Sequence, residues 1–480
     1  MNARFLFAAI AAVLLMTSPV LAAVRISSDP TQNMTCSGGV CAATNQAAVL
    51  NTTDLANMLA TGDVKVVTGG GATIIGVTSP LTWTSANRLT LVAACRIHIR
   101  AQIMVAGGGG LTLGHLPALT KQSCLDDASG QLARRFDNHV QIFPAGRVAF
   151  SAAGGSLIIN GKPYILVRSI ADLKKAIKTT PTGRFALADN YDAASNGVYG
   201  FPPIRVFTGT LEGMGNTISN LSVNSDRQFV GFIGESRSEI RDIRLENANV
   251  VGSLEDAQIG TLVGALESGI IYNCSATGIA NGTSNGETRE YTGGLVGYAR
   301  SYSRIIRSRA NVSVSGITAG GLIGVIDDAA GMSQSFATGP VSGSAYAGGL
   351  VGANGNFVTT TDSYALGTVS SNLNAGGLAG EEAYKTETSY AAGLVQTPGN
   401  AGGVFGYVLG TSAGHNYWDM DTSGTNQGCG ELNFADCNNI VGLTDAQLKS
   451  GLPAGFDPDV WTQDPSINNG YPYLIANPPP

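Results

Sequence analysis

The chain has 480 residues, of which 44% are hydrophobic, 13% are charged and 64 are glycine, and its formal net charge is −6. So few charged residues exclude a disordered tail, and so much glycine does not fit a helical protein. There is no dense basic run, which excludes a nucleic-acid partner, because phosphate binding requires clustered Lys and Arg.

The first 22 residues have the pattern of an export signal. One positive charge at Arg4 precedes an unbroken apolar run over residues 5–16, and Ala22 ends a small-residue cleavage pattern. The run is short for a bilayer span, and no second stretch of spanning length follows it. We therefore predict a signal peptide at residues 1–22, no transmembrane segment in the mature chain, and a secreted, extracellular or outer-surface location. The alternative is an uncleaved membrane anchor.

Alternating segments and two short helices follow the signal. Residues 64–77, 89–103 and 155–167 alternate in polarity, the last with a turn at Asn160-Gly161. Helices are predicted at residues 54–60, capped by Thr53, and at residues 170–177, capped by Ser169.

A glycine-rich segment then recurs in phase through the chain. Its final glycines stand at positions 234, 264, 297, 324, 352, 380 and 406, which are 26 to 33 residues apart. The five clearest copies contain Gly294, Leu295, Gly297; Gly321, Leu322, Gly324; Gly349, Leu350, Gly352; Gly377, Leu378, Gly380; and Gly403, Val404, Gly406. A second block keeps the same phase, in which Ser308, Ser335, Ser363 and Ser389 align. Cys274 occupies the same position in an earlier unit, where we predict a small buried side chain and not a reactive thiol.

This pattern predicts an all-β fold. Each unit holds two or three short strands separated by Gly, Asn and Ser, and it cannot bury its apolar face alone, so the units must stack. We predict a right-handed parallel β-helix, a solenoid with a few short helices and a C-terminal cap. Leu295, Leu322, Leu350, Leu378 and Val404 would form one inward apolar ladder. A propeller is less favoured because its blades need a longer unit. A leucine-rich horseshoe is less favoured because its Leu and Asn spacing is absent.

The segment after the repeats is rich in aromatic residues, Pro and Asn. Thr444 is predicted to cap a short helix at residues 445–449, and the segment as a whole to plug the end of the solenoid.

Cysteine spacing near both ends fits an oxidising compartment. Cys36 with Cys41 and Cys429 with Cys437 are predicted to form local disulfides, because no CxxC spacing or His cluster supports zinc. A pairing of Cys95 with Cys124 is left open.

The repeats resemble the GLUG motif, named for its Gly-Leu-aliphatic-Gly core. Gly294-Leu295-Val296-Gly297 and its next three copies match the motif directly. Residues 78–114 look like parts of filamentous-haemagglutinin-type exoproteins, and Asn416-Tyr417-Trp418-Asp419 is similar to endings seen after GLUG arrays. The resemblance implies a surface-exposed or secreted β-helix, often adhesive. The predicted regions are a haemagglutinin-like β-helix with its cap at residues 23–228, the GLUG array at 229–410 and a capping segment at 411–480.

Motifs for chemistry are sparse, and we predict no cofactor and no metal site. His98, His115, His139 and His415 form no HExxH motif or close pair in the sequence. Residues 419–424 begin like a calcium loop, but Gly430 stands where the bidentate Glu belongs, so a turn with capping carboxylates is preferred. The candidates for the carboxylates that carbohydrate cleavage needs on one face are four acidic pairs: Asp189 with Asp192, Glu255 with Asp256, Asp327 with Asp328, and Glu381 with Glu382. The preferred interpretation is that they are solvated turn carboxylates.

Two functions of different class remain open. The preferred one is a non-catalytic, adhesin-like protein with a repetitive surface for an unidentified ligand, a polysaccharide or a host or matrix protein. The alternative is a carbohydrate-active enzyme, a polysaccharide lyase or glycosidase, which rests on fold analogy. Tyr346, Tyr364, Tyr384 and Tyr390 recur within the units and are candidates for contact with sugars or protein.

Overall fold

The protein is a chain of short, mainly parallel strands. The structure is a computed structural model and describes residues 22–116, 139–283, 289–410, 414–433 and 436–480. Within these ranges the strands form sheets of fifteen, twenty, nine, five, three and two strands. The prediction of a mostly β chain with parallel pairing is confirmed. The predicted signal peptide lies almost wholly outside the described residues, and so does Cys124, so the candidate Cys95–Cys124 pairing is not described.

Two of the sheets carry most of the strands. The fifteen-stranded sheet contains, in spatial order, Met34–Ser37, Val40–Ala43, Val64–Val67, Arg88–Ala93, Gly110–His115, Ser156–Ile159, Lys162–Val167, Arg184–Leu187, Thr210–Glu212, Glu239–Arg241, Ile270–Tyr272, Arg304–Ile306, Gly331–Ser333, Thr359–Thr361 and Lys385–Glu387. The twenty-stranded sheet contains Tyr191–Asp192, Val198–Tyr199, Thr217–Ser219, Ser222–Ser225, Phe229–Val230, Arg244–Gly252, Gln258–Gly260, Ser275–Gly282, Tyr291–Gly293, Arg309–Gly320, Phe336–Ala337, Val341–Gly348, Tyr364–Ala365, Val369–Ser371, Asn374–Gly376, Tyr390–Ala391, Val395–Gln396, Asn400–Gly402, Asn416–Asp419 and Ile440–Leu443.

The smaller sheets complete the described part of the chain. The nine-stranded sheet contains Ile204–Phe207, Ile233–Ser236, Val263–Glu267, Val296–Arg300, Ile323–Ile326, Val351–Asn354, Ala379–Glu382, Phe405–Val408 and Cys429–Leu432. The five-stranded sheet contains Val140–Ile142, Arg96–Ile99, Ile74–Val77, Ala23–Ser27 and Ala47–Asn51, and the three-stranded sheet contains Arg147–Phe150, Gln102–Val105 and Leu81–Trp83. Trp461–Thr462 pairs with Tyr473–Leu474.

Each repeat visits three sheets in the same order. The chain passes from the fifteen-stranded to the twenty-stranded and then to the nine-stranded sheet, and each strand pairs in parallel with its counterpart one repeat later. One cluster of buried apolar side chains draws on all three sheets. The predicted ladder lies in this cluster: Leu295, Leu322, Leu350, Leu378 and Val404 are all buried. The backbone N–H of each of the first four members donates to the carbonyl oxygen of the next member, at 2.8–2.9 Å.

One antiparallel hairpin joins the first part of the chain to the repeats. Ser156–Ile159 and Lys162–Val167 pair antiparallel around Asn160 and Gly161, whose φ angles are 48° and 74°. This is the backbone that an Asn-Gly hairpin turn requires. The predicted turn is therefore confirmed, and parallel pairing resumes at Arg184–Leu187.

The helices are short and capped by polar side chains. They span Thr52–Thr61, Ile170–Thr179, Met420–Ser423 and Asp445–Leu448, and two 3₁₀ turns span Ala194–Asn196 and Asn468–Gly470. Ser169 and Thr444 are the caps, as predicted. The predicted Thr53 cap is wrong, because the side chain of Asn51 accepts the N–H groups of Thr53 and Asp54. None of the described helices exceeds ten residues, and none is of a kind that could cross a bilayer.

The C-terminal segment does not simply plug the end of the sheets, as was predicted. Strands Cys429–Leu432 and Ile440–Leu443 do extend two of the sheets. The chain after Thr444, however, packs along the side of the twenty-stranded sheet. There Phe336, Tyr364, Tyr390 and Tyr417 face away from the main core in one register row, and Trp461 and other apolar side chains of the segment cover them. Asn477 reaches the backbone carbonyl groups of Ser308 and Gln334.

Serine hydroxyls connect successive repeats at one corner. The backbone N–H of Cys274 donates to Oγ of Ser308, and the same bond links Ser308 to Ser335, Ser335 to Ser363, and Ser363 to Ser389, at 3.1–3.3 Å. Cys274 is free and buried, and burial raises the pKa of its thiol far above its usual range. Cys36 is bonded to Cys41, and Cys429 to Cys437.

Candidate functional site

The Gly-Gly-Leu-aliphatic-Gly segments form the corners between the twenty-stranded and nine-stranded sheets. At the corner after Tyr291–Gly293, a Cβ atom on Gly293 would lie 1.9 Å from the carbonyl oxygen of Val296. One on Gly294 would lie 2.1 Å from the carbonyl oxygen of Gly321. Backbone approaches backbone so closely that a side chain has no room. The same backbone contacts, all under 3.0 Å, recur at Gly320, Gly321, Gly348, Gly349, Gly376, Gly377 and Gly402, whereas a Cβ on Gly403 would meet the side chain of Trp418 at 2.2 Å.

The outer side of these corners is re-entrant. Tyr291 and Tyr298 flank one glycine corner and are half-buried, while Thr292 and Ala299 beside them point inward and are fully buried. On the outside of a convex corner the two rings would spread apart. Their centroids instead lie 5.4 Å from each other. A Cβ on Gly297 would also meet the backbone of Ile259 at 2.4 Å, so the strand after the corner lies against the preceding strand of the repeat before.

The corners therefore line a groove along the repeats, here called the glycine groove. Strand register places one row of side chains on each wall. The wall from the twenty-stranded sheet carries Phe229, Gln258, Tyr291, Thr318, Tyr346, Asn374 and Asn400. The wall from the nine-stranded sheet carries Val206, Glu235, Ala265, Tyr298, Val325, Ala353, Glu381, Tyr407 and Glu431. These rows contain aromatic rings and three carboxylates.

Polar contacts cross the glycine groove. The hydroxyl of Tyr346 bonds to the carboxylate of Glu381, and Nδ2 of Asn400 donates to Glu431 at 2.7 Å. Burial raises the pKa of Tyr346 to about 12, and the charge of Glu381 adds to this effect. Burial also raises the pKa of Glu381, although the bond from Tyr346 opposes that rise. The groove is thus acidic and aromatic; Glu431 on one wall is exposed, whereas Gln258, Thr318 and Asn374 on the other wall are buried.

A pocket of about 330 Å³ opens at the N-terminal end of the groove. Phe229 and Glu235 continue the two walls into it, and Phe201 and Arg205 close its far side. The guanidinium of Arg205 lies 5.2 Å from the centroid of the Phe201 ring. An aromatic ring beside a guanidinium provides one flat face and several hydrogen-bond donors at one place.

The first two predicted acidic pairs do not converge. Asp189 pairs with Arg147 at 3.1 Å. Asp192 instead accepts the N–H of Ala194 and the side-chain amide of Asn220, and these bonds lower its pKa. Glu255 and Asp256 are exposed side by side.

Asp327 and Asp328 are turn carboxylates. Oδ1 of Asp327 accepts the N–H groups of Asp328 and Asn356, and Asp328 accepts the hydroxyl of Ser301. These bonds stabilise two stacked turns, and no pair of carboxylates faces a common point there.

The turn predicted at Glu381 and Glu382 is absent, because strand Ala379–Glu382 continues through both residues. Adjacent strand residues point to opposite faces. Glu381 therefore faces the glycine groove, and Glu382 is fully buried in the core. Glu382 accepts Asn354 at 2.8 Å and Thr386 at 2.9 Å, and burial raises its pKa to about 7.

The sequence resembling a calcium loop forms a helix cap. The buried carboxylate of Asp419 accepts the N–H groups of Asp421 and Thr422, and it also accepts the hydroxyl of Tyr471. In the described part of the chain, no group of three His, Cys, Asp or Glu side chains is arranged to hold a metal ion.

One histidine pair was not predicted. His115 and His139 are distant in the sequence, but their ring centroids lie 4.3 Å apart. His115 contacts Asn160, and His139 contacts the carbonyl oxygen of Cys95. No spacing in the sequence signals this pair, because it joins the end of strand Gly110–His115 to the residue before strand Val140–Ile142.

The four candidate tyrosines have three different environments. Tyr364 and Tyr390 are buried under the C-terminal segment, and they stack with ring centroids 5.2 Å apart. Tyr346 lines the glycine groove. Tyr384 is exposed at a turn between the nine-stranded and fifteen-stranded sheets.

A buried charge cluster around Arg241 was also not predicted from the sequence. Arg241 lies 2.8 Å from Glu239 and 3.8 Å from both Glu212 and Asp242. Burial raises the pKa of Glu212 and Asp242, and their mutual repulsion raises that of Glu212 further. Because Glu212, Arg241 and Asp242 are almost fully buried, the cluster stabilises or restrains the fold and cannot contact a ligand.

The sequence does contain a signal for the walls of the groove. Wall residues stand two positions before the first glycine of a copy and one position after the last, as Tyr291 and Tyr298 do. Knowing that the corner bends inward would have been enough to bring these positions together.

Comparison with known proteins gives partial similarities. An alignment over 165 residues, which covers 31% of this chain, is 36% identical to halomucin of Haloquadratum walsbyi (strain DSM 16790 / HBSQ001), and it covers only 2% of the length of halomucin. No protein-family model matches the sequence. The crystal structure of a proposed immunoglobulin A1 protease from Bacteroides ovatus covers 65% of this chain and 93% of its own, with 18% identity and a TM-score of 0.45. A TM-score of this size does not establish a shared fold.

Proposed function

We propose that the protein is a secreted or cell-surface, adhesin-like protein that binds an extended ligand along the glycine groove. In this proposal the three sheets of the repeats are the faces of a right-handed parallel β-helix of the GLUG class. The three-sheet path of every repeat and the single core shared by the sheets support this architecture.

The observation that carries the binding role is the recurrence of the groove walls. A ring or a polar side chain stands on the walls at every repeat, and neighbouring repeats are spaced by the distance between strands, about 4.8 Å. The rings are those of Phe229, Tyr291, Tyr298, Tyr346 and Tyr407. An extended ligand would contact several repeats at once. Weak contacts would then add through effective concentration, and no single contact would need to be strong. A half-buried ring such as that of Tyr298 is already restrained in the free protein, so it loses little conformational freedom when a ligand binds.

Export is proposed from two features. The chain begins with the pattern of a signal peptide, and its two described disulfides close short loops in the first and last parts of the chain. Disulfides of this kind form and persist in oxidising compartments. The similarity to halomucin over 165 residues is consistent with a location outside the cell.

A binding and product assay tests the proposal. The purified chain would be incubated with a panel of bacterial and plant polysaccharides and matrix proteins, recording both retention of the protein and release of reducing or unsaturated ends. We expect retention without product. Release of sugar ends would overturn the binding role in favour of a carbohydrate-active enzyme.

Paired variants locate the binding site. Tyr298→Ser with Tyr407→Ser removes two rings from one wall of the groove, and we expect retention to fall at least tenfold. Val198→Ser is the control, because Val198 is 65% exposed and lies on neither wall. Retention that is equal for the double variant and the wild type would place binding elsewhere.

A further inference from the structure

A second surface lies at the turns that lead from the nine-stranded to the fifteen-stranded sheet. Tyr302, Ala329 and Phe357 occupy equivalent positions in three successive turns. The N–H of Tyr302 donates to the carbonyl oxygen of Asp328, and that of Ala329 to the carbonyl oxygen of Asn356. The turns are thus stacked, and Tyr384 follows in the next one. We call the row formed by Tyr302, Phe357 and Tyr384 the turn ridge.

The rings of the turn ridge are unusually open to solvent. Tyr302 is 71% exposed, Phe357 is 68% exposed and Tyr384 is 41% exposed. Phe357 and Tyr384 touch, with ring centroids 5.6 Å apart. Exposure on this scale means that Tyr302 and Phe357 gain little from packing within the chain.

Two of these residues have a backbone that disfavours large side chains. The φ angle of Tyr302 is 64° and that of Phe357 is 60°. In this left-handed region Gly and Asn are readily accommodated, whereas a bulky side chain is a genuine outlier. Ala329 has the same backbone, with φ of 57°. Aromatic residues at strained and exposed positions do not serve the stability of the fold, which points to a contact outside the chain.

The charges beside the turn ridge are engaged within the chain. Arg304 donates to the carbonyl oxygens of Tyr302, Ser303 and Ala329. Lys385 pairs with Glu387 at 2.9 Å. Asp327 and Asp328 accept bonds from the stacked turns, as described above. Two positive and three negative side chains leave one negative charge in excess, so the ridge offers no attraction for a polyanion or an anionic membrane.

We propose that the turn ridge binds a neutral, linear glycan laid along the direction in which the repeats stack. Tyr302 and the contacting pair of Phe357 with Tyr384 would pack against the C–H faces of sugar units at two places along the glycan, because aromatic faces are both apolar and electron-rich. The backbone and side-chain groups of the turns would bond the sugar hydroxyls. This inference rests on the proposed role as a binding protein but not on the glycine groove.

The test is affinity electrophoresis of the full chain in gels that contain hydroxyethylcellulose, galactomannan or dextran. We expect at least one neutral polymer to retard the wild type. Tyr302→Asn with Phe357→Asn should weaken retardation at least tenfold while leaving the melting temperature equal or higher, since Asn tolerates the left-handed backbone. Ala329→Asn, at the same backbone position between them, should bind like the wild type.

Four outcomes would overturn the inference. They are no retardation by any of the three polymers, unchanged retardation of the ring variant, an equal loss with Ala329→Asn, and capture of the wild type but not of the ring variant by phosphatidylcholine vesicles. The groove variant Tyr298→Ser with Tyr407→Ser separates the two proposals. If it alone loses retention, the ridge proposal fails and the groove proposal stands; if the ring variant alone loses retention, the reverse holds.

Discussion

Leu322 donates its backbone N–H to the carbonyl oxygen of Leu350, 2.9 Å away, while both side chains are buried in the core. One corner residue thus contributes both a backbone hydrogen bond to the next repeat and a buried side chain to the core. The same backbone hydrogen bond joins each pair of neighbours from Leu295 to Val404, so each of these copies of the motif is bonded to the next.

Replacing Leu322 by Asp should destabilise the protein strongly. The change removes a fully buried apolar side chain and places an unpaired carboxylate in the core, at a cost of about 4 kcal/mol or more. Chemical denaturation followed by circular dichroism measures the loss. Leu322→Met is the control and should cost less than about 1.5 kcal/mol. Equal midpoints for Leu322→Asp and the wild type would show that the ladder does not face the core.

Replacing Gly321 by Ala should also destabilise the protein, although the change is only one methyl group. The added Cβ would lie 2.1 Å from the carbonyl oxygen of Gly349 and 2.9 Å from Cβ of Ala337. We expect a loss of about 1–3 kcal/mol from overpacking. Gly114→Ala is the matched control, since nothing lies within 4 Å of its added Cβ. Similar melting temperatures for the two variants would contradict the close approach at the corner.

Glu382 should make the stability of the protein depend on pH. Its folded-state pKa is about 7, above its unfolded value of about 4.3. Between these values the folded state holds a proton that the unfolded state has lost, so stability falls as pH rises through this window. Glu382→Gln should reduce that fall, since the raised pKa values of Glu212 and Asp242 also contribute to it, and should be the more stable form at pH 8. Denaturation at pH 4 to 8 checks this, with exposed Glu246→Gln as the control. A slope in Glu382→Gln that equals the slope of the wild type would assign the effect to other groups.

Replacing Trp461 by Ala should release the C-terminal segment. The ring of Trp461 is fully buried against Tyr364, Tyr390 and Phe456, and its indole N–H donates to Asp362 at 3.2 Å. We expect a loss of about 3–5 kcal/mol in the free energy that holds the segment in place.

Limited proteolysis followed by mass spectrometry would detect this release as early cleavage after residue 444, before the repeats are cut. Binding of a hydrophobic dye to the uncovered aromatic row should rise in parallel. If the variant and the wild type are cut equally fast, the segment does not depend on Trp461.

Local pattern was enough to predict the ladder and the turns. Repeats that stay in phase must place equivalent residues above one another. The phase alone therefore predicts that Leu322 lies in the leucine ladder and Ser335 in the serine row. Asn160-Gly161 specifies its hairpin through backbone preference alone. The cap of the first helix was misplaced by two residues, because Asn51 and Thr53 are both good caps and only the geometry distinguishes them.

Features that depend on distant segments could not be predicted. The aromatic row at Tyr364 and Tyr390 is as apolar as a core row, and no local signal shows that residues near Trp461 return to cover it. The glycine groove depends on the direction in which each corner bends, which the Gly pattern leaves open. Glu382 was expected in a solvated turn, since a carboxylate next to another carboxylate is rarely buried.

The return of the C-terminal segment has a consequence for the order of folding. Repeats can pair as soon as they leave the ribosome. Phe336, however, stays uncovered until Leu474 and its neighbours have been synthesised. At ordinary rates of synthesis this interval is on the order of ten seconds. During that time an aromatic stripe on a growing sheet is open to any other chain. Completion of the fold is therefore a late event, and the nascent protein should need a chaperone, or passage through the export machinery, to keep it from self-association.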